Sequence, residues 1–345
     1  MIIDIKQLCQ KADSFRGCLS HLRQTSGRRR HPTDEDPLGI SNPFVSDEAK
    51  LLSSKTFRLM RDKTQVFTLP NNAFIRNRQT HVMEVVACSV IASELLGLNT
   101  DLVRAAAIGH DIGHVPFGHP GEEWMAKAMG HPEFCHEVMG PIVAQKIERH
   151  GRGLNLTHET LEAMMRHSGN MAKEGMSQEA WTLRYVDKFA YIFHDVNDIV
   201  ERTHYPVSRQ LLDLVKEFGK TQRERTTTAI SGLVVESAKC GHVCFEHSEL
   251  GQKFRLLRSL MYEVYVCLTH QNVKETMEPV LEFLAELKLC NPFLLLALMT
   301  DKDVVLITSE EKRDMEIFNR TAVSQIVPYL RDIGEIDLCD PGLDW

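Results

Sequence analysis

A chain of 345 residues with 43% hydrophobic and 25% charged residues can bury one large core or two smaller ones, and reads as an ordinary globular protein. Its net charge of -7 argues against non-specific nucleic-acid binding, which needs a basic surface, but leaves room for a local basic pocket around a small phosphorylated ligand. Nine scattered cysteines without a CxxC pair, no basic-then-apolar leader in "MIIDIKQLCQ", and an apolar run at 291–300 too short for a bilayer predict a cytoplasmic chain with reduced thiols and no membrane helix.

Residues 1–45 form the first region expected, a helix followed by an arm. The arm is the stretch 24–46, "QTSGRRRHPTDEDPLGISNPFVS", rich in Pro, Gly, Ser and charge. From Asp47 onward helical patterning dominates, with no series of alternating strands. Residues 81–97 are apolar almost all round, which predicts a buried helix. Leu102, Val103, the alanines 105–107 and Ile108 predict another, delivering Gly109, His110 and Asp111 at its C-terminal end. "THETLEAMMRHSG" predicts a helix opened by Thr157 and stopped by Gly169. Over 178–204, Val186, Phe189, Ala190, Phe193, Val196 and Val200 recur at helical spacing. Amphipathic stretches at 209–220, 249–270, 276–288 and 309–333 follow. The fold class expected is therefore all-α, with a helical core over 46–205 and a C-terminal helical region, 206–345, packed on it.

The chemistry concentrates in "GHDIGHVPFGHPGEE", residues 109–123. His110 and Asp111 are neighbours and would point about 100° apart on a regular helix. Both reach one metal ion only beyond the helix end or where the helix is distorted, and Gly109 and Gly113 relax the backbone there. Imidazole with carboxylate favours iron, manganese, zinc or a similar divalent ion. His81 and Asp187 are the candidates for the remaining ligands, because each is polar where the flanking sequence demands burial. A buried carboxylate without a partner costs several kcal/mol. Asp187, Tyr191 and Asp195 lie at i, i+4 and i+8, one polar stripe on an otherwise apolar helix. Two competing motifs fail. "HDIGH" has the His spacing of a zinc protease but Asp where Glu is needed, and "FGKT" at 218–221 lacks the first glycine of a phosphate-cradling loop.

These residues belong to a longer string in which the sequence resembles the HD-domain phosphohydrolases, and within them the deoxyguanosine triphosphate triphosphohydrolases (dGTPases). The string runs "TSGRRRHPTDEDP", "SSKTFRLMRDKTQVF", "RNRQTHVMEVV", "AAAIGHDIGHVPFGHPGEE", "FCHEVMGPIV", "GLNLTHETLEAMMRHSG" and "YVDKFAYIFHDVND", with a weaker late segment "LLLALMTDKDVV". The resemblance implies an HD-domain helical core and a divalent metal (Mn²⁺, Mg²⁺, Co²⁺, Fe²⁺ or Zn²⁺) held by His81, His110, Asp111 and Asp187. It implies a catalytic acid/base dyad of His119 and Glu122, in which the i, i+3 spacing lets Glu122 hydrogen-bond and orient His119. His114 and His136 match positions that contact phosphate or support the dyad. Arg58, Arg78 and Lys188 match cations near a triphosphate, whose charge calls for fixed positive groups. For Arg58, placed between Phe57 and Leu59, a solvent-facing position is not expected.

Tyr191 and Asp195 match positions lining the sugar, where a tyrosine against C2′ leaves no room for a hydroxyl, and Gln65 in "KTQVF" matches a nucleoside contact. His167 in "MMRHSG" fits the family pattern without a chemical role. The implied reaction is hydrolysis of deoxynucleoside triphosphates, dGTP foremost, to deoxynucleoside and triphosphate, in a homo-oligomer that takes a nucleotide effector. The segment between "HVPFGHPGEE" and "FCHEV" is short and Lys188 replaces an Asp or Ala of the bacterial branch, so base preference is left open. The rivals are an HD phosphohydrolase of nucleoside monophosphates or signalling nucleotides, separated by product analysis, and a non-catalytic nucleotide sensor, which would require lost ligands.

Overall fold

The computed structural model describes residues 4–32, 39–268, 273–330 and 333–345. Among the described residues the chain is all-α and has no strand, with isolated bridges pairing Arg29 with Thr157 and Thr64 with Asn77. Helix α1 (Ile5–Ser14) starts on Asp4, whose carboxylate accepts the Gln7 N–H. The described first part of the arm, residues 24–32, is irregular chain, held where Arg29 meets Asp47 at 2.7 Å. The expected arm motif "TSGRRRHPTDEDP" lies partly outside the described residues. Helix α2 (Pro43–Ser53) begins before the helical onset expected at Asp47, because Asn42 caps it and Pro43 fills its first turn. The short α3 (Lys55–Leu59) follows.

The next six helices carry the candidate chemistry. They are α4 (Arg78–Leu96), α5 (Thr100–Gly109), α6 (His119–Met129), α7 (His136–Ile142), α8 (His158–Arg166) and α9 (Gln178–Val196). Asn77, Asn99, Thr157 and Ser177 cap α4, α5, α8 and α9 with their side chains, so sequence-local chemistry fixes where each starts. Helix α4 departs from its expected burial all round. It packs against α5, α9 and a later helix but leaves one face open, where Met83 is 48% and Ile91 52% exposed.

The C-terminal region contributes α10 (Arg209–Phe218), α11 (Gln222–Cys240), α12 (Glu249–Leu268), α13 (Val273–Leu287), α14 (Pro292–Leu298) and α15 (Asp301–Ser309). Helix α11 has no amphipathic signature because it packs against α1 on one side and α9 and α4 on others, which spreads its buried positions around the axis. The stretch 309–333 resolves instead into short pieces at Met315–Asn319, Val323–Gln325 and Val327–Leu330.

Among the described residues two apolar clusters organise the packing, and both cross the boundary expected at 205/206. One joins Leu51, Val82, Ala107 and Leu161 to Met277, Leu284, Leu295 and Val304. The other joins Ala92, Phe189 and Phe193 to Phe218, Leu233 and Phe254. Each fully buried aromatic of this kind contributes roughly 1.5–3 kcal/mol. The C-terminal helices are thus part of the packing that holds α4, α5 and α9 in place.

Candidate active site

Helix α5 stops at Gly109, and residues 110–113 leave it as a tight turn. His110 and Asp111 are therefore free of the 100° separation of a regular helix. A side chain at Gly113 would lie 2.3 Å from both the Gly140 N and the His136 O, so this glycine lets α7 press directly against the turn. That contact brings His136 beside Asp111.

The four expected metal ligands converge. His81 Nε2 lies 3.2 Å from Asp187 Oδ1 and 3.8 Å from Asp111 Oδ2. His110 Nε2 lies 3.3 Å from Asp111 Oδ1 and 3.6 Å from Asp187 Oδ1. All four side chains are buried. His110 Nδ1 donates to the Ala107 carbonyl at 2.7 Å, which leaves the lone pair on Nε2, and that buried atom has no hydrogen-bond partner. An unpartnered imidazole lone pair facing two carboxylates is what a divalent cation satisfies, and the Nδ1 bond to a carbonyl is the usual outer-shell support of a histidine ligand. The residues present therefore fit a divalent metal. Burial alone would push Asp111 and Asp187 up, but the imidazoles facing them, with Arg78 beside Asp111, hold both well below the ordinary carboxylate range.

The second half of the 109–123 stretch turns at Phe117 and Gly118, both with positive φ (65° and 62°). A left-handed phenylalanine costs of order 1–3 kcal/mol and persists only where its surroundings hold it. Asp301 supplies the hold. Its Oδ1 accepts the Phe117 N–H at 2.9 Å, and its Oδ2 accepts the Thr64 N–H at 2.8 Å and the Thr64 hydroxyl. Buried Lys63 adds bonds to the carbonyls of His114 and Ala297. Burial lowers the Lys63 ammonium to about 8, against the pull of Asp301.

His119 is the first residue of α6 and stands exposed at the mouth of a cavity. The expected bond from Glu122 to His119 is not made. The buried Glu122 carboxylate lies instead 2.5 Å from His114 Nδ1 and 3.1 Å from His136 Nδ1, because α7 brings His136 within its reach. His114 and His136 stack at 3.5 Å with planes 16° apart. Burial disfavours an imidazolium at His136, but Glu137 and Glu122 outweigh it and push the group up to about 9.

The cavity holds about 350 Å³, and Gln65, Arg78, His114, His136, Tyr191 and Asp195 all line it. Arg78 also braces the site, with Asp111 Oδ2 at 2.6 Å and the Thr64 carbonyl at 2.8 Å. Arg58 and Lys188 do not line the cavity. Arg58 is exposed, because α3 buries the Phe57 side of the helix and turns Arg58 to solvent. The Lys188 ammonium bonds the Arg184 carbonyl at 2.8 Å and the His167 carbonyl at 3.3 Å, and burial lowers it to about 8.

Several residues of the site carry no local sequence signal. Arg76, two positions from Arg78, binds Asp195, Asp198 and Glu84 from a buried position. Tyr265 on α12 donates to Asp195 at 2.5 Å, and Tyr262 faces the Tyr191 hydroxyl at 3.3 Å. Their period on an amphipathic helix looks like any apolar face. Asp301 was visible only as part of a late motif, without a partner.

The HD domain profile matches residues 78–192, the interval from Arg78 to just beyond Tyr191. A protein of Clostridium tetani named "Deoxyguanosinetriphosphate triphosphohydrolase-like protein" is 33% identical over 247 residues, covering 69% of this chain and 70% of its own length. One of the same name from Caldanaerobacter subterraneus is 32% identical over 244 residues, covering 71% and 70%. Another from Cereibacter sphaeroides is 36% identical over 181 residues, covering 46% and 47%. Fold, ligand cluster and these matches define an HD-domain, metal-dependent phosphohydrolase. Within that class, the chain belongs to the family of deoxyguanosinetriphosphate triphosphohydrolase-like proteins. Among the described residues no helix is long and apolar enough to cross a membrane.

Proposed function

We propose that this chain hydrolyses deoxynucleoside triphosphates, dGTP foremost, to the deoxynucleoside and inorganic triphosphate. The observation that carries this reading is a single cavity whose wall includes both the ligand cluster at His81, Asp111 and Asp187 and the nucleoside-sized surface of Gln65, Tyr191 and Tyr265. Gln65 Oε1 is buried without a hydrogen-bond partner, an acceptor suited to a hydroxyl or amino group of a bound nucleoside. The Tyr191 ring packs edge-on near His81, with centroids 6.5 Å apart, which sets the sugar close to the reacting phosphate. Ribose, with one more hydroxyl, is excluded by that ring.

A divalent cation (Mn²⁺, Mg²⁺, Co²⁺, Fe²⁺ or Zn²⁺) held by His81, His110, Asp111 and Asp187 supplies Lewis-acid polarisation of the phosphate and acidification of a water. Water attacks the α-phosphorus in line, the bond from phosphorus to the 5′-oxygen breaks, and His119 delivers a proton to that leaving oxygen. The water oxygen ends in the triphosphate. His136, held protonated between Glu122 and Glu137, donates to a phosphate oxygen, and Arg78 adds fixed positive charge. Glu122 acts as a positioning residue for His136 and His114. The same family reading brings a homo-oligomeric, cytoplasmic enzyme with a nucleotide effector.

Chromatography of products from each of the four dNTPs, with each cation added in turn, tests this. Deoxynucleoside with triphosphate supports the reading. Monophosphate with pyrophosphate, or turnover only of nucleoside monophosphates, contradicts it.

A further inference from the structure

Helix α11 ends at Cys240, and the chain that leaves it folds back over the helix's last turn. Gly241 makes the reversal, with φ 75° in the left-handed region and its N–H on the Ser237 carbonyl. The Ser237 hydroxyl accepts the Cys244 N–H at 3.1 Å and donates to the Cys244 carbonyl at 3.4 Å, which pins that residue to the helix end. Glu236 and Cys240 are four residues apart and share the helix face that Cys244 meets.

The Sγ atoms of Cys240 and Cys244 and a carboxylate oxygen of Glu236 lie within 4.8 Å of one another. A soft cation takes groups of this kind, but Glu236 is already filled. Its oxygens accept the N–H groups of Glu246, His247 and Ser248, the Ser248 hydroxyl, and the Cys244 thiol at 3.3 Å. Two sulfurs alone fall short of the four ligands of a closed thiolate site. What the fold holds together here is two thiols. Bonded sulfurs stand about 2.05 Å apart, so a side-chain rotation of at most about 2.8 Å closes the pair.

We propose that Cys240 and Cys244 are a modification site, a dithiol that a hydroperoxide converts reversibly into an intrachain disulfide. Cys240 is half-buried and within reach of a small oxidant, whereas Cys244 is buried. The Cys240 sulfur attacks a peroxide oxygen, the O–O bond breaks, and a sulfenic acid forms with release of water or an alcohol. The Cys244 sulfur then attacks the Cys240 sulfur, the S–S bond forms, and the hydroxyl leaves as water with the Cys244 proton. The thiols give up two electrons, and the peroxide takes them. Burial and the Glu236 carboxylate push the Cys244 thiol up to about 12, which makes it a poor first target; its fixed place beside Cys240 offsets this in the second step. The disulfide no longer donates to Glu236. It lies in the loop that backs α9, where the Val243 N–H meets the Gln178 side chain at 2.6 Å and Phe245 packs edge-on to Phe189 at 5.2 Å.

The test treats the full-length, reductant-free protein with hydrogen peroxide, alkylates it under denaturing conditions and digests it with trypsin. Cleavage after Lys239 and Lys253 leaves both cysteines in one fragment, 240–253. That fragment should become lighter by two hydrogens, escape alkylation, and return to the dithiol with dithiothreitol. In Cys244→Ser no thiol traps the sulfenic acid, so Cys240 should gain two oxygens as a sulfinic acid that dithiothreitol leaves in place. A fragment that stays reduced while exposed Cys267 is oxidised overturns the proposal. So does a Cys240 that reaches the sulfinic acid with Cys244 intact, or a zinc ion that the reduced protein takes up and Cys240→Ser does not. Should Cys244→Ser fail to fold, the mass of the 240–253 fragment from the unmodified protein still decides.

Discussion

The HD segment and the C-terminal helices meet at the same cavity but contribute in different ways. The segment from α4 to α9 supplies nearly every group that can hold a metal or move a proton. It does so from short, contiguous motifs ending at helix termini. The region from α10 to α15 supplies shape and restraint, with Tyr262 and Tyr265 walling the cavity and Asp301 fixing the Phe117 turn. On the proposed reaction, the first region carries the chemistry and the second sets how firmly the atoms that perform it are held. The two should therefore respond differently to substitution.

The largest effect is expected in the first region. Asp187→Ala leaves His81 and His110 without their shared carboxylate and should lower turnover by about a thousandfold or more, with loss of bound metal seen by elemental analysis. His119→Ala should follow, with kcat reduced by about 10²–10⁴ and metal content unchanged. Unaltered kcat for His119→Ala would remove it from the proton-transfer role.

In the second region, Asp301→Ala removes three accepted hydrogen bonds and strands the buried Thr64 and Phe117 donors. Each stranded donor costs about 1–3 kcal/mol, and the release of the Phe117 turn should lower kcat more than it raises KM. A variant that lost stability in urea while keeping kcat would show that the clamp serves the fold alone, and would sharpen the division between regions.

The smallest effect concerns a restraint remote from the cavity. Glu236 on α11 accepts the N–H groups of Glu246, His247 and Ser248. Burial raises its carboxyl, but the Ser248 hydroxyl and these amides outweigh it and hold it below its ordinary value of 4.5. A depressed folded-state pKa gives stability that is complete above the unfolded value and is lost as pH falls through the folded one. The stability gap between the unmodified protein and Glu236→Gln should thus be constant near neutral pH and narrow below pH 4.5. A gap that widened on acidification would contradict the assignment.

Much of the first region is legible in the sequence, because its information is local. Thr157 announces a helix start, Gly109 and Gly113 announce the turn, and burial alone singles out His81 and Asp187. What sequence reasoning misplaces depends on which face of a helix meets which neighbour. Arg58 sits on the outer face of α3, and Lys188 bends back to carbonyls of its own surroundings. Glu122 prefers His114 and His136 because α7 approaches through Gly113, an approach that no spacing within 109–123 encodes. Tyr265, Arg76 and Asp301 act across 70 or more residues of chain in their contacts with Asp195 and Phe117, so their roles emerge only on folding.

The most direct test of the central claim is hydrolysis of dGTP in ¹⁸O-labelled water, with mass analysis of both products. Attack at the α-phosphorus with departure of the 5′-oxygen places the label in the triphosphate and leaves the deoxynucleoside unlabelled. Label in the deoxynucleoside would contradict the account.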